Sequence, residues 1–107
     1  GLEKQVFAQI AESYVNQENV LRFQPGLTSA GVRDLAEAIA QVCGGTAAVF
    51  SGSDGNYNVC MVSKHGDIKE LGAAMSKALN GRGGGKPGFF QGSVKATKME
   101  IEAFFGR

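Results

Sequence analysis

The chain is organised around residues 80–93, which read NGRGGGKPGFFQGS. This segment combines glycines, two cations, a proline and two adjacent phenylalanines, whereas a flexible linker is normally rich in glycine and serine without an aromatic pair. Glycines allow positive φ angles and the close approach of another backbone or of a ligand. Backbone amides presented in this way, beside the N-terminus of a following helix, form an anion site. The sequence therefore predicts a functional, anion-binding loop.

The charges are divided unevenly along the chain, although the net charge is only +1. Residues 1–62 carry three cations and six anions, and residues 63–107 carry eight cations and four anions. A basic half that contains the glycine segment indicates an anionic partner, and phosphate is the commonest kind. The exposed lysines of the preceding helix, Lys69 and Lys77, are interpreted as ordinary solvated surface residues.

The composition is that of a soluble globular domain, with 43% hydrophobic and 20% charged residues in a chain of 107. This length predicts one domain. The sequence contains no apolar run long enough to span a bilayer and does not begin with a signal peptide, so we expect a cytoplasmic protein with no membrane partner.

Apolar spacing predicts four helices. Residues 2–18 form the first, and the second begins after Thr28 or Ser29 and ends at Gly44-Gly45. The third begins with a capping box between Asp67 and Glu70 and ends at Asn80-Gly81, a left-handed stop. The last is capped by Ser93 or Thr97, which has capping-box spacing to Glu100.

Three segments predict strands: residues 19–24, 47–50 and 57–62. Turn-forming residues join the last two into an antiparallel hairpin. The predicted order is α-β-α-β-β-α-loop-α. We therefore expect an α/β (α+β) domain, with a small mixed sheet of about three to four strands packed with helices.

Catalytic chemistry is difficult to build from these residues. Cys43 and Cys60 have no second ligand at metal spacing and are interpreted as buried small hydrophobes. The single histidine, His65, is interpreted as an exposed turn residue, and no Ser or Cys lies in a nucleophile motif. The glycine segment is not a Walker A motif, because Pro87 follows Lys86 and a helix precedes it, and it does not fit the dinucleotide fingerprint.

Phosphate binding without chemistry remains. Arg82 and Lys86 bracket the three glycines, and Lys95 and Lys98 are predicted in the first turn of the last helix, near its positive end. Several such cations would neutralise backbone phosphates. Phe89 and Phe90 could stack on a base or anchor the segment in the core, and we expect the core for at least one of them.

At this segment the sequence resembles the DHH-associated domain found at the C-terminus of alanyl-tRNA synthetases and in some alanyl-tRNA editing proteins. The resemblance rests on residues 71–87, with Gly83-Gly84-Gly85-Lys86-Pro87 as its specific part, on Gln91-Gly92, and on the strand-turn-strand run of residues 46–64. It covers nearly the whole chain. The sequence departs from the family pattern at Gly88-Phe89-Phe90, where an acidic and a small residue are usual.

The resemblance implies a noncatalytic tRNA-binding domain that assists aminoacylation and editing of tRNA(Ala). Residues 1–18 would be the end of a preceding helical segment and residues 19–107 the globular domain. ATP and zinc sites would lie elsewhere in a parent alanine–tRNA ligase, so no cofactor is expected here. The candidate RNA- and phosphate-binding residues are Arg82, Gly83, Gly84, Gly85, Lys86, Gln91, Ser93, Lys95 and Lys98.

Two alternatives remain open. The domain could be the substrate-binding half of a DHH-type phosphoesterase that acts on oligonucleotides or cyclic dinucleotides, although such enzymes have a His where Lys86 stands. It could instead be an interaction module that forms a homodimer. The expected partners are tRNA(Ala) and the other domains of the parent chain.

Overall fold

The computed structural model describes residues 2–64 and 66–106, with side chains described from Phe7 onward. His65 lies outside the described residues, and so does its predicted position in an exposed turn. In chain order, the described elements are α1 (Leu2–Glu12), β1 (Val20–Phe23), α2 (Ser29–Val42), β2 (Thr46–Ser53), β3 (Asn56–Ser63), α3 (Lys69–Ala78), β4 (Arg82–Lys86), β5 (Phe89–Val94) and α4 (Lys98–Phe104).

The strands form one sheet in the order β1-β2-β3-β5-β4. β1 pairs with β2 in parallel, and all the other pairs are antiparallel. The predicted mixed sheet, helical layers and β2–β3 hairpin are therefore confirmed. The strand count is wrong, because the predicted glycine loop is itself a β-hairpin that adds two strands to the sheet.

The sheet separates two hydrophobic cores, as the alternation of side chains along each strand requires. On one face, β2 and β3 present Val49, Cys60 and Val62 to α1 and α2. On the other face, the same strands present Phe50 and Met61 to the core that includes residues of α3 and α4. Phe89 packs against the first core, and Phe90 and Val94 belong to the second, so β5 is anchored on both faces of the sheet.

The second helix is the best-specified element. Thr28 is its N-cap, and the Thr28 hydroxyl accepts a hydrogen bond from the Gly31 amide over 3.1 Å. The buried positions recur every three or four residues and point at the sheet, at Val32, Leu35, Ala36, Ile39 and Ala40. The start of α2 is therefore held firmly beside β5, where the candidate site lies.

Two predicted helix boundaries differ from the structure, and a third is confirmed. α1 ends at Glu12, before the predicted Glu18, and a turn follows. The Asp67–Glu70 capping box does not form: Ile68 is the N-cap of α3 without a side-chain bond, and the Asp67 carboxylate accepts from the Lys69 amide at 2.8 Å. Of the two predicted caps of α4, Ser93 and Thr97, the structure has Thr97, and the predicted capping box with Glu100 is confirmed.

None of the described helices combines the length and the apolar character that crossing a bilayer requires.

Candidate nucleic-acid interface

The β4–β5 hairpin places most of the predicted binding residues together. Its register pairs Arg82 with Ser93, Gly84 with Gln91 and Lys86 with Phe89. Paired residues of an antiparallel ladder project from the same face of the sheet. Arg82, Lys86, Gln91 and Ser93 therefore share the face that carries α2, with Gly84 between the two cations.

The Pro87-Gly88 turn connects the two strands and is anchored by its backbone. The Pro87 carbonyl accepts a hydrogen bond from the Ile68 amide at 2.6 Å, and the Gly88 carbonyl accepts one from the Ser63 amide at 3.0 Å. A proline and a glycine are typical turn formers, because proline presets its φ angle and glycine adds no side chain. Lys86 consequently stands at a fixed position at the end of β4.

The glycines serve close packing of the strands more than unusual backbone angles. None of Gly83, Gly84 and Gly85 is among the described residues with positive φ, so the first of the two predicted roles of glycine is wrong here. A Cβ on Gly83 would lie 2.6 Å from the Gln91 carbonyl oxygen, and one on Gly92 would lie 2.6 Å from the Gly83 Cα. A Cβ on Gly84 would meet nothing within 4 Å. Only the middle glycine therefore has open space beside it.

The phenylalanine pair anchors the hairpin. Phe90 is buried and packs against Gly72 of α3, where an added Cβ would lie 2.6 Å from the ring. Phe89 is half-buried and packs against the opposite core, under α2. The expectation that at least one ring enters the core is confirmed. Base stacking on this pair is disfavoured because both rings pack against protein.

On the α2 side, a groove of about 620 Å³ runs beside the hairpin. It is lined by Arg33, Arg82, Ser93 and Asn58, and the Gln91 side-chain amide closes one wall by donating to the Ser29 carbonyl at 2.8 Å. Farther along this face, the lining near Lys86 has three cations, Arg33, Lys64 and Lys86, and two carboxylates, Asp34 and Glu37. Among the described residues, cations therefore outnumber carboxylates at both ends of this face, and the Arg82 end has no carboxylate in its lining.

On the α3 side, a second groove of about 630 Å³ separates α3 from the edge strand β4. Three cations line it: Lys69 and Lys77 from α3, and Lys86, which ends the edge strand and borders the grooves on both faces of the sheet. Among the described residues no carboxylate lines it. Lys69, Ala73 and Lys77 follow one another at four-residue intervals on α3 and so share one helix face. The eight residues from Lys69 to Lys77 span about 12 Å along the helix. This groove is the more favourable place for a phosphate backbone.

Lys69 and Lys77 were the functional candidates that sequence reasoning missed. The sequence alone favours an ordinary solvated surface role for both, as for most lysines on a helix surface. The sequence does contain a sign of their role: they are eight residues apart on one helix face, immediately before the basic glycine segment. This spacing becomes informative only when β4 is known to lie beside α3.

The two remaining candidates, Lys95 and Lys98, line neither groove. Lys95 is exposed, directly after β5, and not in the first turn of α4 as predicted. Lys98 does begin α4, but its Nζ lies 5.1 Å from the centre of the Phe23 ring, at the β1 end of the sheet. Strand order therefore separates Lys98 from β4, which is the last strand at the other edge.

The two cysteines are the described residues whose side chains could serve as thiolate nucleophiles. Burial raises the pKa of the Cys60 thiol to about 12, assisted by Glu37 and opposed by Arg33, so the nucleophilic thiolate does not form at neutral pH. Cys43 is also buried. Among the described residues, no group of three or more His, Cys, Asp or Glu side chains is placed to hold a metal ion.

The family model of the DHHA1 domain matches residues 4–105. A similar solved structure is the C-Ala domain of alanyl-tRNA synthetase from Aquifex aeolicus, with a TM-score of 0.66 and 21% sequence identity over 83% of this chain and 89% of that one. At this identity the likeness shows a shared fold. No curated protein matches the chain. Because the family model spans nearly all of the sequence, the chain belongs to the DHHA1 domain family.

Proposed function

We propose that the chain is the C-terminal tRNA-binding domain of an alanyl-tRNA synthetase. It assists aminoacylation and editing of tRNA(Ala) and performs no chemistry itself. The observation that carries the proposal is the gathering of four cations, Arg82, Lys86, Lys69 and Lys77, along one edge of the sheet. Membership of the DHHA1 family and the shared fold with the Aquifex C-Ala domain support it.

The ligand contact follows from the shape of this edge. All five residues of β4 are exposed, so the three glycines let a phosphate backbone approach the peptide groups without meeting side chains. Lys69 and Lys77 line the α3-side groove, and Arg82 lies on the opposite face of the strand. Contacts of this kind neutralise phosphates and position the RNA, but they read no base.

The domain's role is accordingly to add affinity to a larger enzyme. ATP, zinc and alanine would be bound by other domains of the parent chain, and the protein would act in the cytoplasm on tRNA(Ala). Gln91 and Ser93 contribute by shaping the hairpin on the α2 side. The Gln91 side-chain amide donates a hydrogen bond to the Ser29 carbonyl of α2, and Ser93 pairs with Arg82 across the ladder.

The salt dependence of tRNA binding tests this proposal. Four phosphate contacts predict that the logarithm of the association constant falls with the logarithm of salt concentration with a slope of about −3. The measurement is the fluorescence anisotropy of labelled tRNA(Ala), titrated with the 107-residue chain between low and physiological salt. A slope near zero, or no binding at low salt, would contradict the proposal.

A further inference from the structure

The edge strand β4 leaves part of its backbone without a partner. β4 pairs only with β5, and among the described residues no hydrogen bond beyond that ladder is made by Arg82–Lys86. In an antiparallel ladder, alternate N–H and C=O groups point away from the partner strand. No helix or loop in the described part of the chain pairs with the outer side of β4, which is therefore an open template for one more strand.

Cations flank this open edge on both faces of the sheet. Arg82 and Lys86 project to the α2 face and lie about 13 Å apart along the strand. Lys69 and Lys77 line the groove on the α3 face and lie about 12 Å apart along the helix. An added strand would therefore run between two positively charged rows of nearly equal length.

Open space beside Gly84 lies between the two cations of β4. Gly84 lies between Arg82 and Lys86 on the same face of β4 and has no side chain. A Cβ added to Gly84 would meet nothing within 4 Å. A large apolar side chain on the neighbouring strand, opposite Gly84, can fill this space and cover the exposed glycine backbone. The matching strand thus carries two carboxylates four residues apart, with a bulky apolar residue midway between them.

A second copy of the chain does not meet these requirements. Antiparallel pairing of two β4 strands would place Arg82 of one copy opposite Lys86 of the other, and parallel pairing would place equal charges side by side. Like charges directly opposite in a sheet are destabilising. The edge selects against self-association, as charged edge strands commonly do.

We propose that β4 binds an extended acidic peptide segment of another protein by strand addition. The acidic residues at its two ends contact Arg82 and Lys86, its backbone pairs with the outer groups of β4, and its central apolar residue covers Gly84. Main-chain hydrogen bonds provide affinity in this recognition mode, and alternate side chains provide specificity. This function is separate from RNA binding, although the two ligands share cations.

The test uses a labelled seven-residue peptide with Glu at its second and sixth positions, Phe at its fourth and Thr elsewhere. Its matched control has the same sequence, with the amides along the pairing edge N-methylated, so the charge is unchanged and the donors are lost. We expect saturable binding of the first peptide to the whole chain and binding at least about tenfold weaker for the control. Amide hydrogen exchange at residues 82–86 should slow when the first peptide is added and should not slow when the methylated control is added.

Two substitutions locate the contact. Replacing the peptide's Phe by Ala should weaken its binding to the unsubstituted chain several-fold. The same replacement should weaken binding to a Gly84→Leu variant by a smaller factor, because the new leucine side chain already fills the space beside residue 84. Equal affinity of the methylated and unmethylated peptides would overturn the proposal, because charge alone would then account for binding. Binding of RNA without binding of the peptide would also overturn it and would leave the RNA proposal standing.

Discussion

Gly92→Ala is expected to lower the free energy of unfolding by about 2–3 kcal/mol, because the new methyl group would collide with the neighbouring strand. A Cβ at this position would overlap the Arg82 carbonyl oxygen and lie 2.6 Å from the Gly83 Cα. Both atoms belong to backbone, so no side chain can rotate away to make room. Among the described residues, β5 is the one strand with which β4 pairs, and the collision should therefore detach β4 from the sheet.

Gly84→Ala is the matched control for this prediction. The same methyl group is added to the same hairpin, but at a site where it meets nothing within 4 Å. We expect a change within about 0.5 kcal/mol in either direction, as for other exposed positions. Urea denaturation followed by circular dichroism measures both variants. Equal stability of Gly92→Ala and Gly84→Ala would mean that β4 is not held against β5 at this register.

Arg82→Glu combined with Lys86→Glu is expected to reduce tRNA affinity by about 100-fold at low salt. Two attractive phosphate contacts would become repulsive, and the slope of binding against salt should become less steep by about 1.5 to 2. Both side chains are exposed and neither forms a hydrogen bond or an ion pair with the described residues. The double variant should therefore fold, with a melting temperature close to that of the unsubstituted chain.

Single charge reversals locate the effect. Lys86→Glu and Lys98→Glu change the net charge identically, but Lys98 lies against Phe23 at the opposite edge of the sheet. We expect about a tenfold loss of tRNA affinity for Lys86→Glu and less than about twofold for Lys98→Glu. Equal losses in an anisotropy titration would indicate that only overall charge matters and would remove β4 as the contact.

The parts of the fold that could be predicted are those in which apolar side chains recur at a regular spacing along the sequence. α2 shows this well: Val32, Leu35 and Ile39 recur at helical spacing after a Thr28 cap, and the structure confirms both features. The β2–β3 hairpin was equally clear, because two apolar runs flank the turn-forming Asp54-Gly55. Asn80 also stops the chain in a left-handed conformation, with φ of 52°, as predicted.

The β4–β5 hairpin could not be predicted by the same reasoning. Strand signals depend on alternating side chains, and β4 has none between Arg82 and Lys86. Glycine is also unfavourable in strands by propensity, so the segment resembled a loop. Its strand conformation is determined by tertiary contacts: Phe89 and Phe90 fix β5 in opposite cores, and the glycines of β4 then fit against it.

The candidate site divides in the same way. Arg82 and Lys86 were predicted because they adjoin the glycines in sequence. Lys69 and Lys77 were missed because their proximity to β4 arises only when α3 packs beside the edge strand. Lys98 illustrates the opposite case, since nearness in sequence to the glycine segment did not bring it near in space.

The central claim is that tRNA contacts the β4 edge and the α3-side groove, and an NMR footprint tests it most directly. Backbone amide shifts of the isotope-labelled chain would be followed while unlabelled tRNA(Ala) is added. We expect shifts concentrated at residues 82–86 and at Lys69 and Lys77, with β1 and α4 unchanged. Shifts centred on β1 and α4, or no shifts at all, would contradict it.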